Sequence, residues 1–407
     1  MRLPRGSLRG EVDLPGDKSI SHRALILRAF LGGDGPIENC NPGRDVDATK
    51  RGLESLFSSS GTRERAAIDC ANSGSTARML LGVCAGARLS ARFDGDESLR
   101  RRPMEPVAAQ LRAFGARIET SEGHLPLDLW KGESVQTRSF ILLSPSAQVK
   151  SALLFAALFA GVCIDITGDR GSRDHTERLL RFQGAGIEWD GQRIALSAPP
   201  SRRLPMRVAG DFSAAAFFIT GAVINAGSAV TTLGACVNPT RTGLLDVLRS
   251  MGASVELHNE RDVCGEPVAD VTARYSRLHS VDIDKRLALR AIDEIPLVAV
   301  AAAFAHGTSV IRGIGDLRTK ESDRVSASVE LLRAVGIEAT ADADTLTVAG
   351  GEPAASGTIV RSHEDHRIAM AAAILGAAAG PLELDDASSA AVSFPEFVAT
   401  LERTRVS

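Results

Sequence analysis

The sequence is poor in aromatic residues: 14 Phe, 2 Trp and one Tyr make up 4% of 407 residues. A nucleic-acid groove built from stacking rings among basic residues has little to draw on. The formal net charge of -3 supplies no excess of cations for phosphate backbones either. Long apolar runs are also missing. No stretch reaches the roughly 18 uninterrupted apolar residues of a membrane span, and the opening "MRLPRGSLRGEV" has no apolar signal core, so the expected location is the cytoplasm. The six cysteines, at 40, 70, 84, 163, 236 and 264, show neither a CxxC pair nor zinc-ligand spacing. They are expected to be buried small hydrophobes in a reducing compartment. Lysine is the scarce cation: Lys18, Lys50, Lys131, Lys150, Lys285 and Lys320 stand in a Lys plus Arg total of 47. Where arginine is the default, a retained lysine hints at a need for a compact ammonium.

What is present is a repeated pattern. Polar clusters open Ala/Leu-rich helical runs six times, at "DKSISHRALILRAFLGG", "NSGSTARMLLGVCAG", "SAQVKSALLFAALFAG", "GDFSAAAFFITGAVINAG", "DEIPLVAVAAAFAHG" and "EDHRIAMAAAILGAAAG". Short β-like stretches such as "CIDITG", "SAVTTLG", "TSVIRG" and "PLELDD" follow most of them. A second helix then ends in Leu-x-x-x-Gly and runs into a strand, as in "LRAFGARIE", "LRFQGAGIEW", "LRSMGASVEL" and "LRAVGIEAT". Glycine there suits the residue just past a helix end. Six mixed modules in a chain that is 44% hydrophobic imply two pseudo-symmetric domains of three modules, with the seam near Pro199 to Arg207.

Any one polar opening is an ordinary N-cap. The set carries more than caps need, because Lys18, Arg23, Arg78, Gln148 and Arg367 sit at the same places. Free N–H groups at a helix start beside a cation make an anion site, so several such ends together would bind small molecules with more than one negative charge. "DGDESLRRRPM" and "DLRTKESDRV" add further cations; the second places Lys320, Glu321 and Arg324 within about one helical turn.

In order along the chain, "PGDKSISHRAL", "NSGSTAR", "SLRRRPM", "SAQVKSALL", "SRDHTE", "IDEIP", "KESDR" and "DHRIAM" resemble the motifs of the 5-enolpyruvylshikimate-3-phosphate synthase family, from about Leu14 to "SFPEF". The resemblance implies an α/β fold: a two-domain inside-out α/β barrel, each domain three βαβαββ-type repeats with pseudo-threefold symmetry. It implies one domain over 15–209 and another over 1–14 plus 210–407, with substrates between them. The implied reaction moves the enolpyruvyl group of phosphoenolpyruvate to the 5-hydroxyl of shikimate 3-phosphate, with no cofactor and no metal, in a monomer that binds neither nucleic acid nor membrane. By the same resemblance Lys18, Ser19, Arg23, Ser146, Ala147, Gln148, Arg173, Asp293 and Lys320 would hold shikimate 3-phosphate. Lys18, Gly74, Arg102, Gln148, Arg324 and Arg367 would hold phosphoenolpyruvate. Glu321 would be the acid serving C3, Asp293 the acceptor of the hydroxyl proton, and Lys18 and Lys320 the cations steadying developing charge. Gly74, having no side chain, would leave room for the herbicide glyphosate in place of phosphoenolpyruvate.

The chain departs from the family pattern in places. Only "SSSGTRERAA" separates "GLESLF" from "IDCANSGS", which implies a reduced sheet in the first module and less support near Asn72. "SAAAFF" has fewer serines than usual, and Val392 stands where some members have a lysine. Three alternatives are a transferase acting on a UDP-sugar, a carboxyvinyltransferase for a related cyclic alcohol, and a non-catalytic anion-binding repeat protein. The first would require a cysteine in a Gly/Arg-rich loop, which is missing. The second would require an altered clamp, yet "SAQ" and "DKS" are intact. The third has no use for Asp293, Lys320 and Glu321 together.

Overall fold

The computed structural model describes residues 2–32, 36–58, 65–132, 135–355 and 357–406. They form two compact units: Lys18–Val208 with Val263–Glu266, and Met1–Asp17 with Ala209–Asp262 and Pro267–Ser407. The sequence reading assigned all of 210–407 to one domain. The hairpin tip Val263–Glu266 instead groups with the other unit, where Arg178 donates to the Gly265 carbonyl (3.2 Å) and His175 Nδ1 meets Glu266 Oε1 (2.8 Å).

Two modules of the Lys18–Val208 unit follow one plan. In the first, strand Ala66–Asp69, helix Gly74–Ala87, strand Ala91–Asp94, helix Glu105–Phe114 and the strands Arg117–Ser121 and His124–Trp130 succeed one another. The first two strands pair in parallel, and the last strand adds antiparallel beside the second. The module from Ser139–Ile141 to Arg193–Ala198 repeats these pairings around helices Ala147–Ala160 and His175–Phe182. In the third module, with helices Lys18–Leu31 and Arg44–Ser58, the strands Ile37–Glu38 and Met206–Arg207 make a two-stranded parallel sheet among the described residues. Residues 59–64, within the short segment noted in the sequence, lie outside the described residues. Asn72 nonetheless has support, since it donates to Asp96 Oδ2 (2.7 Å) and accepts from Arg102.

The other unit repeats the plan with strand Ser7–Asp13 as the first element of its first module. That strand pairs in parallel with Ala229–Cys236, although helix Phe212–Ile224, which links the two in the pattern, comes some two hundred residues after it. The chain leaves and returns side by side: Asp17 N–H donates to the Ala209 carbonyl (2.7 Å) and Asp211 N–H to that of Pro15 (2.8 Å). The second module holds helices Ile295–Ala303 and Arg324–Arg333, and the third helices His366–Ala379 and Phe397–Thr404.

The local chemistry explains these elements. Ser73, Ser146, Asp211 and Asp365 cap the helices that follow them, each accepting from a backbone N–H one to three residues inside the helix. Gly115, Gly184, Gly252 and Gly336 end the second helices, all with positive φ. The first helix of each module is the core: every residue of Phe212–Ile224, Ile295–Ala303 and His366–Ala379 is buried. The sheets lie outside them, with strands alternating buried and less buried positions, as in His124–Trp130. Of the six cysteines, Cys70, Cys84 and Cys236 are buried, but Cys163 is exposed and Cys40 and Cys264 only half-buried, so the expectation of six buried thiols holds for three. No helix among the described residues is long and apolar enough to cross a membrane.

Candidate active site

In each unit the N-termini of the three first helices come together. In the Lys18–Val208 unit, Arg23 on helix Lys18–Leu31 donates from Nη2 to Ser151 on helix Ala147–Ala160 (2.9 Å) and from Nε to Thr176 on helix His175–Phe182 (2.7 Å). Its Nη1 holds the Ser19 carbonyl (2.7 Å). Lys18 pairs with Asp45 Oδ2 (2.8 Å), and the Asp45 carbonyl accepts from Thr76 Oγ1 (3.2 Å) on helix Gly74–Ala87. Gln148 joins that helix to the next, accepting from Arg78 Nη1 (2.8 Å) and donating to Ser75 Oγ (2.9 Å). Ser146 is the cap of helix Ala147–Ala160, accepting from Val149 N–H at 3.3 Å. Arg102 follows the short helix Glu97–Arg100 and donates to Asn72 and Ser98. A Cβ on Gly74 would lie 2.6 Å from Arg78 Nη1 and 3.5 Å from Arg102 Nη1, so the bare backbone sits between two guanidinium groups. Arg173 lies in the loop before helix His175–Phe182.

His22, from the first motif, is buried against Thr49 Oγ1 (2.7 Å), which meets Thr76 Oγ1 at 2.6 Å. Burial, with Lys18 and Arg23 nearby, drives its pKa well below the ordinary value, so the ring is neutral.

The other unit gathers Asp293, Glu321, Arg324 and Arg367. Arg324, 2% exposed, donates to Glu321 Oε2 (2.5 Å), Asp293 Oδ1 (3.4 Å) and Asp365 Oδ2 (2.8 Å). Burial opposes its charge, but Asp365, Glu321 and Asp293 outweigh that and raise its pKa above the ordinary arginine value. Arg367 Nη1 donates to the Asp293 carbonyl (2.9 Å), Ser213 Oγ (3.0 Å) and Glu294 Oε1 (3.3 Å), and its Nη2 lies 3.6 Å from Asp293 Oδ2. Ser213, Asp293 and Arg367 belong to the starts of the three first helices.

The sequence placed Lys320, Glu321 and Arg324 within one helical turn. They do not share a helix: Lys320 ends the 3-10 turn Gly315–Thr319, Asp323 caps, and the helix begins at Arg324. The Glu321 to Arg324 pair forms across that cap.

Several neighbours escaped sequence reasoning. Thr176, Glu294 and Asp365 lie inside the quoted motifs, where residue types ordinary for caps and helix starts hid their partners. Arg241, in "NPTRTG", lies outside every motif, yet it is 2% exposed and donates to Asp211 Oδ1 (3.1 Å) and Ser213 Oγ (2.7 Å).

The cations gathered at the helix openings of each unit suit a multiply charged anion, and the unit that holds Arg324 adds the carboxylates Asp293 and Glu321. Comparison with known proteins agrees. The family model for EPSP synthase (3-phosphoshikimate 1-carboxyvinyltransferase) matches residues 3–401. A 3-phosphoshikimate 1-carboxyvinyltransferase of Roseiflexus castenholzii is 42% identical, covering 100% of this chain and 99% of its own length. One from Geobacillus kaustophilus is 40% identical over 98% of this chain and 99% of its own. The solved EPSP synthase of Acinetobacter baumannii aligns with a TM-score of 0.83 at 32% identity, over 100% of this chain and 98% of that one. The enolpyruvyl transferase NikO of Streptomyces tendae, at 19% identity and a TM-score of 0.72 over 99% of this chain and 96% of that one, shares the fold. The chain belongs to the EPSP synthase (3-phosphoshikimate 1-carboxyvinyltransferase) family.

Proposed function

We propose that this chain transfers the enolpyruvyl group of phosphoenolpyruvate to the 5-hydroxyl of shikimate 3-phosphate, with Glu321 as acid and Asp293 as base. Glu321 delivers a proton to C3 of phosphoenolpyruvate as the hydroxyl oxygen attacks C2 and its proton passes to Asp293. The resulting tetrahedral ketal phosphate then loses inorganic phosphate, which takes the proton held on Asp293, and one C3 proton, which returns to Glu321, leaving the C2–C3 double bond of the enol ether product. Arg324, Arg367, Arg102, Lys18 and Gln148, with the bare backbone at Gly74, take phosphoenolpyruvate. Lys18, Ser19, Arg23, Ser146, Ala147, Gln148, Arg173, Asp293 and Lys320 take shikimate 3-phosphate. Lys18 and Lys320 also offset charge as it develops.

One observation supports the placement of acid and base: Glu321 and Asp293 both lie on the Arg324 guanidinium, at 2.5 and 3.4 Å, so one buried cation orients both carboxylates, and a substrate anion that takes over Arg324 frees Glu321 to carry a proton. None of the six cysteines forms a disulfide, which supports a reducing compartment and with it the cytoplasm.

The test is phosphate release from phosphoenolpyruvate, with and without shikimate 3-phosphate, in wild type and Glu321→Gln. Glutamine keeps an oxygen for Arg324 but has no proton to give. Release should require shikimate 3-phosphate, and kcat should fall roughly 10²- to 10⁴-fold in the variant. A fall of less than about tenfold removes Glu321 as the acid, and release without shikimate 3-phosphate removes the acceptor.

A further inference from the structure

Lys150 has no role in the site described above, yet it is one of only six lysines and its side chain is 1% exposed. It lies on helix Ala147–Ala160, about one turn past Ser146 and Ala147 and two residues past Gln148. Its Nζ donates to Asp169 Oδ2 (2.9 Å) and the Ser172 carbonyl (3.2 Å), and pairs with Glu177 Oε1 (2.8 Å). Ser172 Oγ in turn donates to Asp169. These acceptors bracket the segment from the end of strand Ile164–Thr167 to the first turn of helix His175–Phe182, and Arg173 sits between them. A further contact fixes the far end, where Thr176 Oγ1 meets Ser151 Oγ at 2.7 Å.

Burying an ammonium and two carboxylates is costly unless each is paired, and an apolar cluster would hold the helices together as well. What an ion cluster adds is a defined position. Burial opposes the Lys150 charge, but Glu177 and Asp169 more than offset it and hold the ammonium above its usual pKa, while burial pushes the Glu177 carboxyl upward.

We propose that Lys150 is a positioning residue for shikimate 3-phosphate: it fixes the Asp169–Glu177 segment so that Arg173 is held in register with Ser146, Ala147 and Gln148 on the same helix. This rests on the role assigned to Arg173 above. Lys150 itself does not touch substrate.

The experiment is a double-mutant cycle of wild type, Lys150→Met, Arg173→Gln and the double variant, with KM for each substrate, kcat and a thermal melt for every protein. Each single variant should raise KM for shikimate 3-phosphate roughly ten- to a hundredfold and leave KM for phosphoenolpyruvate within about twofold. The double variant should be no worse than Arg173→Gln alone, because Lys150 acts through Arg173. Multiplying effects, or equal changes in both KM values, overturn the inference while leaving Arg173 as a contact. An unchanged KM for shikimate 3-phosphate in Arg173→Gln instead overturns the Arg173 assignment, and this inference with it. If Lys150→Met does not fold, Lys150→Met/Glu177→Gln keeps the cluster's net charge and takes its place in the cycle.

Discussion

Gly82 and Gly86 stand four residues apart on helix Gly74–Ala87 and face Ala152 and Ala156 on helix Ala147–Ala160. A Cβ on Gly86 would lie 2.2 Å from the Ala156 carbonyl oxygen and 2.9 Å from its Cα, against a practical lower limit of 3.0 Å. The obstacle is backbone, which cannot turn aside as a side chain can. Gly86→Val therefore has to part the two helices by most of an ångström. Overpacking of this kind costs roughly 1–3 kcal/mol, and the better helix propensity of valine returns only about 0.3 kcal/mol. A net loss near 2 kcal/mol lowers Tm by roughly 4–8 °C for a unit of this size. The same two helices carry Ser75, Arg78 and Gln148 at their N-termini, so KM for phosphoenolpyruvate should rise severalfold at temperatures where the variant is still folded. Differential scanning fluorimetry and steady-state phosphate release measure both. Gly351→Ala is the control, since its Cβ would meet nothing nearer than Ile337 at 3.5 Å. A Gly86→Val protein melting within about 1 °C of wild type refutes the close-packing argument.

Two further outcomes follow from the site. Gly74→Ala puts a methyl 2.6 Å from Arg78 Nη1, and moving that arm disturbs its hydrogen bond to Gln148, so KM for phosphoenolpyruvate should rise about tenfold and glyphosate inhibition should weaken in step; unchanged steady-state constants contradict it. His22 has its folded pKa depressed by burial, with Lys18 and Arg23 adding to the effect, so the unfolded chain binds the extra proton first. Its contribution is present above the unfolded value near 6.5 and is lost as pH falls below it, by about 1 kcal/mol at pH 5.5. His22→Gln should flatten the fall in Tm between pH 7 and 5.5, and a slope identical to wild type counts against a neutral His22.

The parts of the fold most legible in sequence were those set by local rules. Helix openings at Ser73, Ser146, Asp211 and Asp365 are caps, and the Leu-x-x-x-Gly endings are turns that need positive φ; both are written within a few residues. Lys18, Arg23, Arg78, Gln148 and Arg367 are legible for the same reason, at the helix openings, whereas the fuller set of site residues follows from the motifs' resemblance to the family. Their partners are not legible in this way. Arg241 meets Asp211 and Ser213 across about thirty residues, and Arg23 meets Thr176 across 153, with no periodicity linking either pair. The Lys320–Arg324 stretch was misjudged because Asp323 satisfies Val325 and Ser326 N–H and starts the helix only at Arg324. The grouping of the hairpin tip Val263–Glu266 with the Lys18–Val208 unit has no local signal, because its contacts with Arg178 and His175 are tertiary.

The crowding of polar residues at helix openings has a physical cause in the inside-out arrangement. A helix with one face to solvent can place charge along its whole length. Phe212–Ile224, Ile295–Ala303 and His366–Ala379 are buried along their whole length, so a charged group in their middle would lie among apolar neighbours. The first turn is the one place on such a helix where unpaired N–H groups and the positive end of the dipole favour polar company. Threefold repetition then brings three such ends together, as the Arg367 contacts with Ser213 and Asp293 record in one unit. Lys150 is instructive because it breaks this pattern. A cation one turn into the buried helix Ala147–Ala160 survives only with Asp169, Glu177 and the Ser172 carbonyl around it. A group that demands three acceptors in the core is an improbable filler, and it lies directly beneath the turn that carries Ser146 to Gln148.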